Sequence, residues 1–184
     1  MNCYVLIGGG SSRMGRSKPE LFLASIAAAA TPVFDRVFAV QRRGGPAAGV
    51  ETIFEKEHEE EAPLFGLEAA LEHAKAPCFV LATDYARITG DLLRLLRDEA
   101  ERSAASIVAP IWNTIPQTLC AVYRPEVLPA VQERIATGRL DVRGLLVTVT
   151  TQFVDEETIR ARFGNQALIS VNTPEELAEA EKLE

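Results

Sequence analysis

The sequence predicts an α/β fold, a doubly wound, mainly parallel mixed sheet with helices on both faces. Three observations carry this. Short apolar runs alternate with amphipathic stretches of helical length along the whole chain, the pattern of strands covered by helices on both sides. Val5, Leu6 and Ile7 run straight into Gly8, Gly9 and Gly10, as a buried strand does when it stops at a loop closely approached by something else. The 184 residues, 47% hydrophobic and 24% charged, match one globular domain over 1–184 with a core of its own.

The elements follow in order. A first strand at 3–7 meets the glycine loop, and a helix at 18–30 begins at a capping box of Ser17 and Glu20. "RVFAVQ" gives a strand at 36–41, "RRGGPAAG" a flexible loop at 42–49, and residues 51–54 a third strand. The acidic run "EKEHEEE" at 55–61 reads as a solvated loop with His58 exposed in it. A helix at 65–75, a strand at 78–83 ("CFVLAT") and a helix at 90–103 come next. Strands at 106–110 and 117–123 precede a helix at 125–136, and strands at 147–154 and 167–171 follow it. Thr173 with Glu176, and Pro174 at a first helical position, open a last helix at 174–183.

Composition excludes several classes. A net charge of −7 argues against a general nucleic-acid binder, which needs a basic face. Cys3, Cys78 and Cys120 are scattered and odd in number, which suits reduced core thiols in a cytoplasmic protein. Residues 1–7 are too short for a signal peptide and no apolar run reaches spanning length, so no membrane partner is expected.

The glycine loop offers open backbone N–H groups beside Arg13, Arg16 and Lys18, a setting for a phosphate. The dinucleotide fingerprint G-x-G-x-x-G fits Gly8 and Gly10 but meets Arg13 at its third position. The P-loop fits Gly10, Gly15 and Ser17 but has Arg16 in place of lysine. The pattern that fits is L-x-G-G-x-S-x-R-M-G-x-x-K, through Leu6, Gly8, Gly9, Ser11, Arg13, Met14, Gly15 and Lys18. Asp84 closes the 78–83 strand, so it falls at the same end of a parallel sheet as the glycine loop. Trp112 is expected to pack and His73 to need no special role.

This stretch resembles the signature of the molybdenum cofactor guanylyltransferase family. "APLFGLEAAL" at 62–71, "FVLATD" at 79–84, "QTLCAVYRPEVLPAV" at 117–131 and "SVNTPEEL" at 170–177 are similar to later family motifs in the same order. The resemblance implies a nucleotide-diphospho-sugar transferase-like fold and Mg²⁺-dependent transfer of GMP from GTP to molybdopterin, releasing pyrophosphate. It implies that Leu6, Gly8, Gly9, Gly10, Ser11 and Gly15 line the nucleotide, that Arg13 and Lys18 neutralise its triphosphate, and that Asp84 holds the metal. Glu55 is matched to the carboxylate that meets the guanine edge, and Asn172 to a residue approaching the pterin phosphate or the metal. Apo-molybdoenzymes or other cofactor-biosynthesis proteins are the implied protein partners. The alternatives are a relative using CTP or another phosphate acceptor, and a nucleotide binder without turnover. The chain departs from the pattern at Ile7, Ser17, Tyr85, Ala86 and Ser170.

Overall fold

The computed structural model describes residues 1–7, 18–45, 49–85 and 87–170, with the backbone alone for 18–21. Eight strands form one sheet: β1 (Asn2–Leu6), β2 (Val37–Gln41), β3 (Glu51–Phe54), β4 (Cys78–Ala82), β5 (Ile107–Trp112), β6 (Ile115–Pro116), β7 (Cys120–Tyr123) and β8 (Thr151–Val154). The described helices are α1 (Lys18–Ala30), α2 (Pro63–Ala74), α3 (Gly90–Arg102), α4 (Leu128–Ala136) and α5 (Glu156–Phe163), with 3-10 turns at Pro125–Val127 and Arg143–Val147. None of these helices is long and apolar enough to cross a membrane.

Strand order is β3-β2-β1-β4-β7-β5-β6, with β8 on β5. The β3-β2-β1-β4 half is parallel throughout and β8 is parallel to β5, whereas β7 runs antiparallel to both of its neighbours. Leu6 pairs with Val40 on one side and Ala82 on the other, so β1, β2 and β4 end level with one another. That common edge is where a parallel sheet offers its loops to a ligand.

The period-two alternation of strand side chains sorts the core into two layers. Cys3, Val5 and Ile7 pack with Phe22 and Ile26 of α1 and Leu92 and Leu96 of α3. Tyr4 and Leu6 pack with Leu64, Leu67 and Leu71 of α2 and Val131 of α4. Tyr4 also shares a 2.8 Å hydrogen bond with His73 Nδ1, which gives that histidine a packing role in α2. The start of α3 is capped by Thr89, which accepts from Leu92 N at 3.3 Å. Beyond its C-terminus, Arg124 donates to the carbonyls of Ser103 (2.6 Å) and Ala105 (2.9 Å). The three cysteines are free and buried on β1, β4 and β7. Burial pushes all three thiols up, that of Cys78 to about 12.

Several elements differ from expectation. No strand forms over 167–170: residues 165–168 turn, and Ala167 and Leu168 enter the α1/α3 core layer without joining a ladder. The strand expected from residue 147 begins at Thr151 because Arg143–Val147 coil as a 3-10 turn. The strand expected at 117–123 begins only at Cys120, as β7, because residues 118–119 turn, and a separate short strand, β6, precedes it at Ile115–Pro116. The short helix α5 is unforeseen, with Ile159 its one buried residue and Asp155 capping its start by accepting from Thr158 N at 2.8 Å. Trp112 ends β5 only 3% exposed, in the packing role expected of it. The helix expected at 174–183, with Thr173, Pro174, Glu176 and Ser17, lies outside the described residues.

Candidate active site

Two cavities open where β1 and β4 end. The first, of about 140 Å³, is lined by Leu6, Arg42, Glu55, Glu61, Pro63 and Asp84, among others. The second, of about 200 Å³, includes Asp84, Tyr85, Gln117, Thr118, Arg143 and Ser170. Asp84, half-buried in the turn after β4, is the acid common to both walls.

The first cavity is built from strand ends and one helix start. Arg42 follows β2 directly, donates Nη1 to Glu61 Oε1 at 3.3 Å, and reaches the His58 carbonyl with its other amine. His58 stacks on Phe65 with ring centroids 3.7 Å apart and planes 10° from parallel, and its Nε2 is buried. The acidic run is therefore not simply a solvated loop: its two ends, Glu55 and Glu61, reach the cavity, and His58 folds onto α2. Glu55 prolongs the β2–β3 pairing through a 3.0 Å bond from its N–H to Gln41 O. Burial raises the Glu55 pKa, the Arg42 charge opposes the rise, and the Glu61 charge adds to it. Gly66 lets α2 come close, since a Cβ there would lie 3.1 Å from Glu55 Oε1 and 3.1 Å from Leu6 Cδ2. Pro63 opens α2 and no side chain caps its N-terminus, so the positive end of the helix dipole abuts the cavity.

The second cavity depends on a brace. Tyr85, 5% exposed, donates its hydroxyl to Gln117 Oε1 at 3.0 Å. Burial foremost holds that phenol far above its usual pKa, so it stays a donor. Gln117 in turn donates Nε2 to the carbonyls of Ile115 (2.8 Å) and Trp112 (3.3 Å). Tyr85 thus ties the Asp84 turn to the β5–β6 hairpin. The hairpin tip, Asn113 and Thr114, has φ of 49° and 63°. It is held by α5: Arg160 donates to Asn113 Oδ1 at 2.9 Å and covers the Trp112 ring at 4.2 Å, and Glu156 accepts from Thr114 N at 3.1 Å.

Of the residues expected in the site, the fold brings Leu6, Glu55 and Asp84 to one cavity. Lys18 is the first residue of α1, and only its backbone is described. Gly8, Gly9, Gly10, Ser11, Arg13, Gly15 and Asn172 lie outside the described residues, as does Ala86. Arg42, Glu61, Gln117 and Arg143 were not anticipated. Arg42 carried a usable signal, its place immediately after a strand, whereas Arg143 sits between the expected helix at 125–136 and the expected strand at 147–154, where no element was assigned. Among the described residues no group of three or more His, Cys, Asp or Glu is placed to hold a metal. Magnesium commonly takes one or two carboxylates and completes its shell with water and phosphate oxygens. Asp84 suits an ion of that kind.

Comparison with known proteins gives these features a class. The structure superposes on the 2-C-methyl-D-erythritol 4-phosphate cytidylyltransferase of Thermus thermophilus with a TM-score of 0.69 at 15% identity, over 99% of this chain and 97% of that one. The molybdopterin-guanine dinucleotide biosynthesis protein A of Archaeoglobus fulgidus superposes with a TM-score of 0.85 at 24% identity, over 100% and 98% of the two chains. These likenesses show a shared fold, and a family match supplies the class, a nucleotidyltransferase. A sequence relative from Aquifex aeolicus (strain VF5), named "Probable molybdenum cofactor guanylyltransferase", is 29% identical over 185 residues, 95% of this chain and 87% of its own. Residues 3–151 match the model of the MobA-like NTP transferase domain, and the chain belongs to that family.

Proposed function

We propose that the chain transfers GMP from GTP to the terminal phosphate of molybdopterin in the presence of Mg²⁺. An acceptor phosphate oxygen attacks the α-phosphorus, the bond from that phosphorus to the bridging oxygen breaks, and pyrophosphate leaves with the electron pair. The observation that carries this reading is the meeting of two cavities at one carboxylate, Asp84, at the level ends of β1 and β4. A two-substrate transfer needs a donor chamber and an acceptor chamber joined at the reacting centre.

The first chamber takes the nucleotide base. A carboxylate at Glu55 complements the adjacent N1–H and N2 amine of guanine, two donors on one edge. Cytosine presents one amine beside acceptors and would set an acceptor against Glu55. The glycine loop from Gly8 to Gly10 lies next in the chain after β1, and Arg13 and Lys18 follow it to meet the triphosphate. Asp84 would hold Mg²⁺, which supplies charge neutralisation as pyrophosphate departs. The family match and the names of the curated relatives support the choice of substrates.

The test is pyrophosphate release from GTP by the full chain, with and without molybdopterin and Mg²⁺. Release that needs all three components, with CTP inactive, is the expected result. Release from CTP in place of GTP would overturn the base assignment. Full turnover by Asp84→Asn would overturn the metal assignment.

A further inference from the structure

The second cavity contains a cation that the reading so far leaves idle. Arg143 is the single positive residue among those described along its wall. The chain carries a net charge of −7, and most of its described arginines are occupied. Arg36, Arg42, Arg94, Arg97, Arg102, Arg134, Arg139 and Arg160 each hold a carboxylate. Arg143 makes no such pair among the described residues, yet its backbone is tightly fixed.

Its neighbours show how. Val142 and Leu145, on either side of it, are buried in the α2/α4 core layer. Arg134, 6% exposed, bonds to the Asp141 carboxylate and, at 3.2 Å, to the Asp141 carbonyl. Asp141 Oδ1 accepts from Gly144 N at 2.7 Å. Gly144 lies so close over the Arg134 guanidinium that a Cβ at that position would collide with it. The segment Asp141–Leu145 is locked from beneath, and the one long side chain it leaves exposed is that of Arg143, at the cavity. Such rigidity is wasted on a solvated arginine, whose guanidinium gains little from a fixed backbone. It is useful where a planar fork of donors must meet a tetrahedral anion.

The two chambers also differ in charge. The first has Glu55, Glu61 and Asp84 against Arg42, which is already engaged by Glu61. Among the described side chains there, carboxylates outnumber cations. Among the described residues along its wall, the second has one acid, Asp84, and one cation, Arg143, with Thr118 beside it. We infer that the second cavity receives the phosphate monoester of the acceptor and that Arg143 is the residue that binds it. This rests on the nucleotidyl-transfer reading for the identity of the acceptor, while the binding of a phosphate group is a separate property of the cavity. A dianion bound in this cavity would share the Asp84 wall with the base chamber.

The experiment has two arms on the full chain, using wild type, Arg143→Gln and Arg143→Lys, each checked for folding by thermal unfolding. In the first, inorganic phosphate is titrated while the Nε–Hε resonance of Arg143 is followed by NMR. A saturable shift of that resonance, with phosphate binding weakened in Arg143→Gln and partly kept in Arg143→Lys, is expected. A resonance that stays still at tens of millimolar phosphate overturns the inference. In the second arm, steady-state constants are measured with GTP and molybdopterin. Loss of one charge-assisted contact raises the acceptor KM about ten- to a hundredfold, with the GTP KM unmoved. An unchanged acceptor KM, or an equal rise in both constants, overturns the assignment while leaving the nucleotidyl-transfer reading intact. If wild type releases no pyrophosphate with molybdopterin, that reading fails instead, and the phosphate titration still decides whether the cavity binds a phosphate.

Discussion

Gly66→Ala separates the fold from the site within one substitution. In α2 the change gains about 0.8–1 kcal/mol of helix propensity, since alanine loses less backbone freedom than glycine. Against this, the new Cβ would sit 3.1 Å from Glu55 Oε1, 3.1 Å from Leu6 Cδ2 and 3.3 Å from Leu6 Cδ1. Carbon contacts prefer about 3.5–4.0 Å, so both side chains must yield by a few tenths of an ångström. Both end in the first cavity and have room to yield, which puts the overpacking cost near the low end of about 1–3 kcal/mol. The two effects nearly cancel, and thermal unfolding should move by less than about 4 °C either way. The affinity for GTP should not escape. If Glu55 bonds the base as proposed, its displacement weakens a charge-assisted bond worth about 1.5–3 kcal/mol, and Kd rises by up to about ten- to a hundredfold. Calorimetric titration with GTP and Mg²⁺, beside a melting curve on the same sample, measures both quantities. Unchanged GTP affinity in a folded variant would refute the role given to Glu55. A loss of several kcal/mol in stability would refute the claim that the cavity absorbs the displacement.

Other perturbations test the rest of the structure. Tyr85→Phe removes the hydroxyl from Gln117 Oε1, and should cost about 1–2 kcal/mol in denaturant unfolding; equal stability would remove the brace from the account. GTP affinity should fall in acid through protonation of Glu55, whose folded pKa is raised above 4.5 by burial. By the same shift, Glu55 favours the folded state below its unfolded pKa and this contribution is lost as pH rises through the folded value, so Glu55→Gln should flatten the pH dependence of both binding and melting. Thr114→Gly should stabilise the chain by about 0.5–1 kcal/mol, because a β-branched residue at φ 63° occupies a turn position suited to glycine; a lower melting temperature would contradict the strain. Gly144→Ala should destabilise the chain by about 1–3 kcal/mol, since the Cβ meets the Arg134 guanidinium and must push it aside, and a melting curve like that of wild type would show the Arg134–Asp141 lock to be loose.

The parallel half of the fold was legible because its apolar runs do one thing only. "CYVLI", "VFAVQ" and "CFVLA" are buried on both faces, and their ends are marked by glycine, arginine or aspartate. Ala167 and Leu168 misled for the same reason: apolar character reports burial, and here burial comes from filling a gap in the core layer and not from pairing in a ladder. α5 escaped notice because a helix with one buried residue, Ile159, has too little apolar face to produce a period. In the site, Asp84 was legible from its place at a strand end, whereas Leu6 and Glu55 came from the family resemblance; the fold brings all three to one cavity. Gln117 and Arg143 were not legible. Their partners are 32 residues away in the case of Tyr85 and Gln117, and nothing local distinguishes an arginine that fills a cavity from one that faces water.

The buried thiols have a practical consequence. Cys3, Cys78 and Cys120 sit fully enclosed on three strands that adjoin in the order β1-β4-β7, and thiol reagents attack the thiolate, which burial suppresses. Labelling of any of them must wait until the sheet opens. The rate of modification in the native chain is therefore a clock for that opening, with two hands in the parallel half and a third in the antiparallel strand beside it. If GTP and Mg²⁺ bind across the ends of β1 and β4, they should slow all three hands together; a ligand that steadied only the acceptor side would slow Cys120 first.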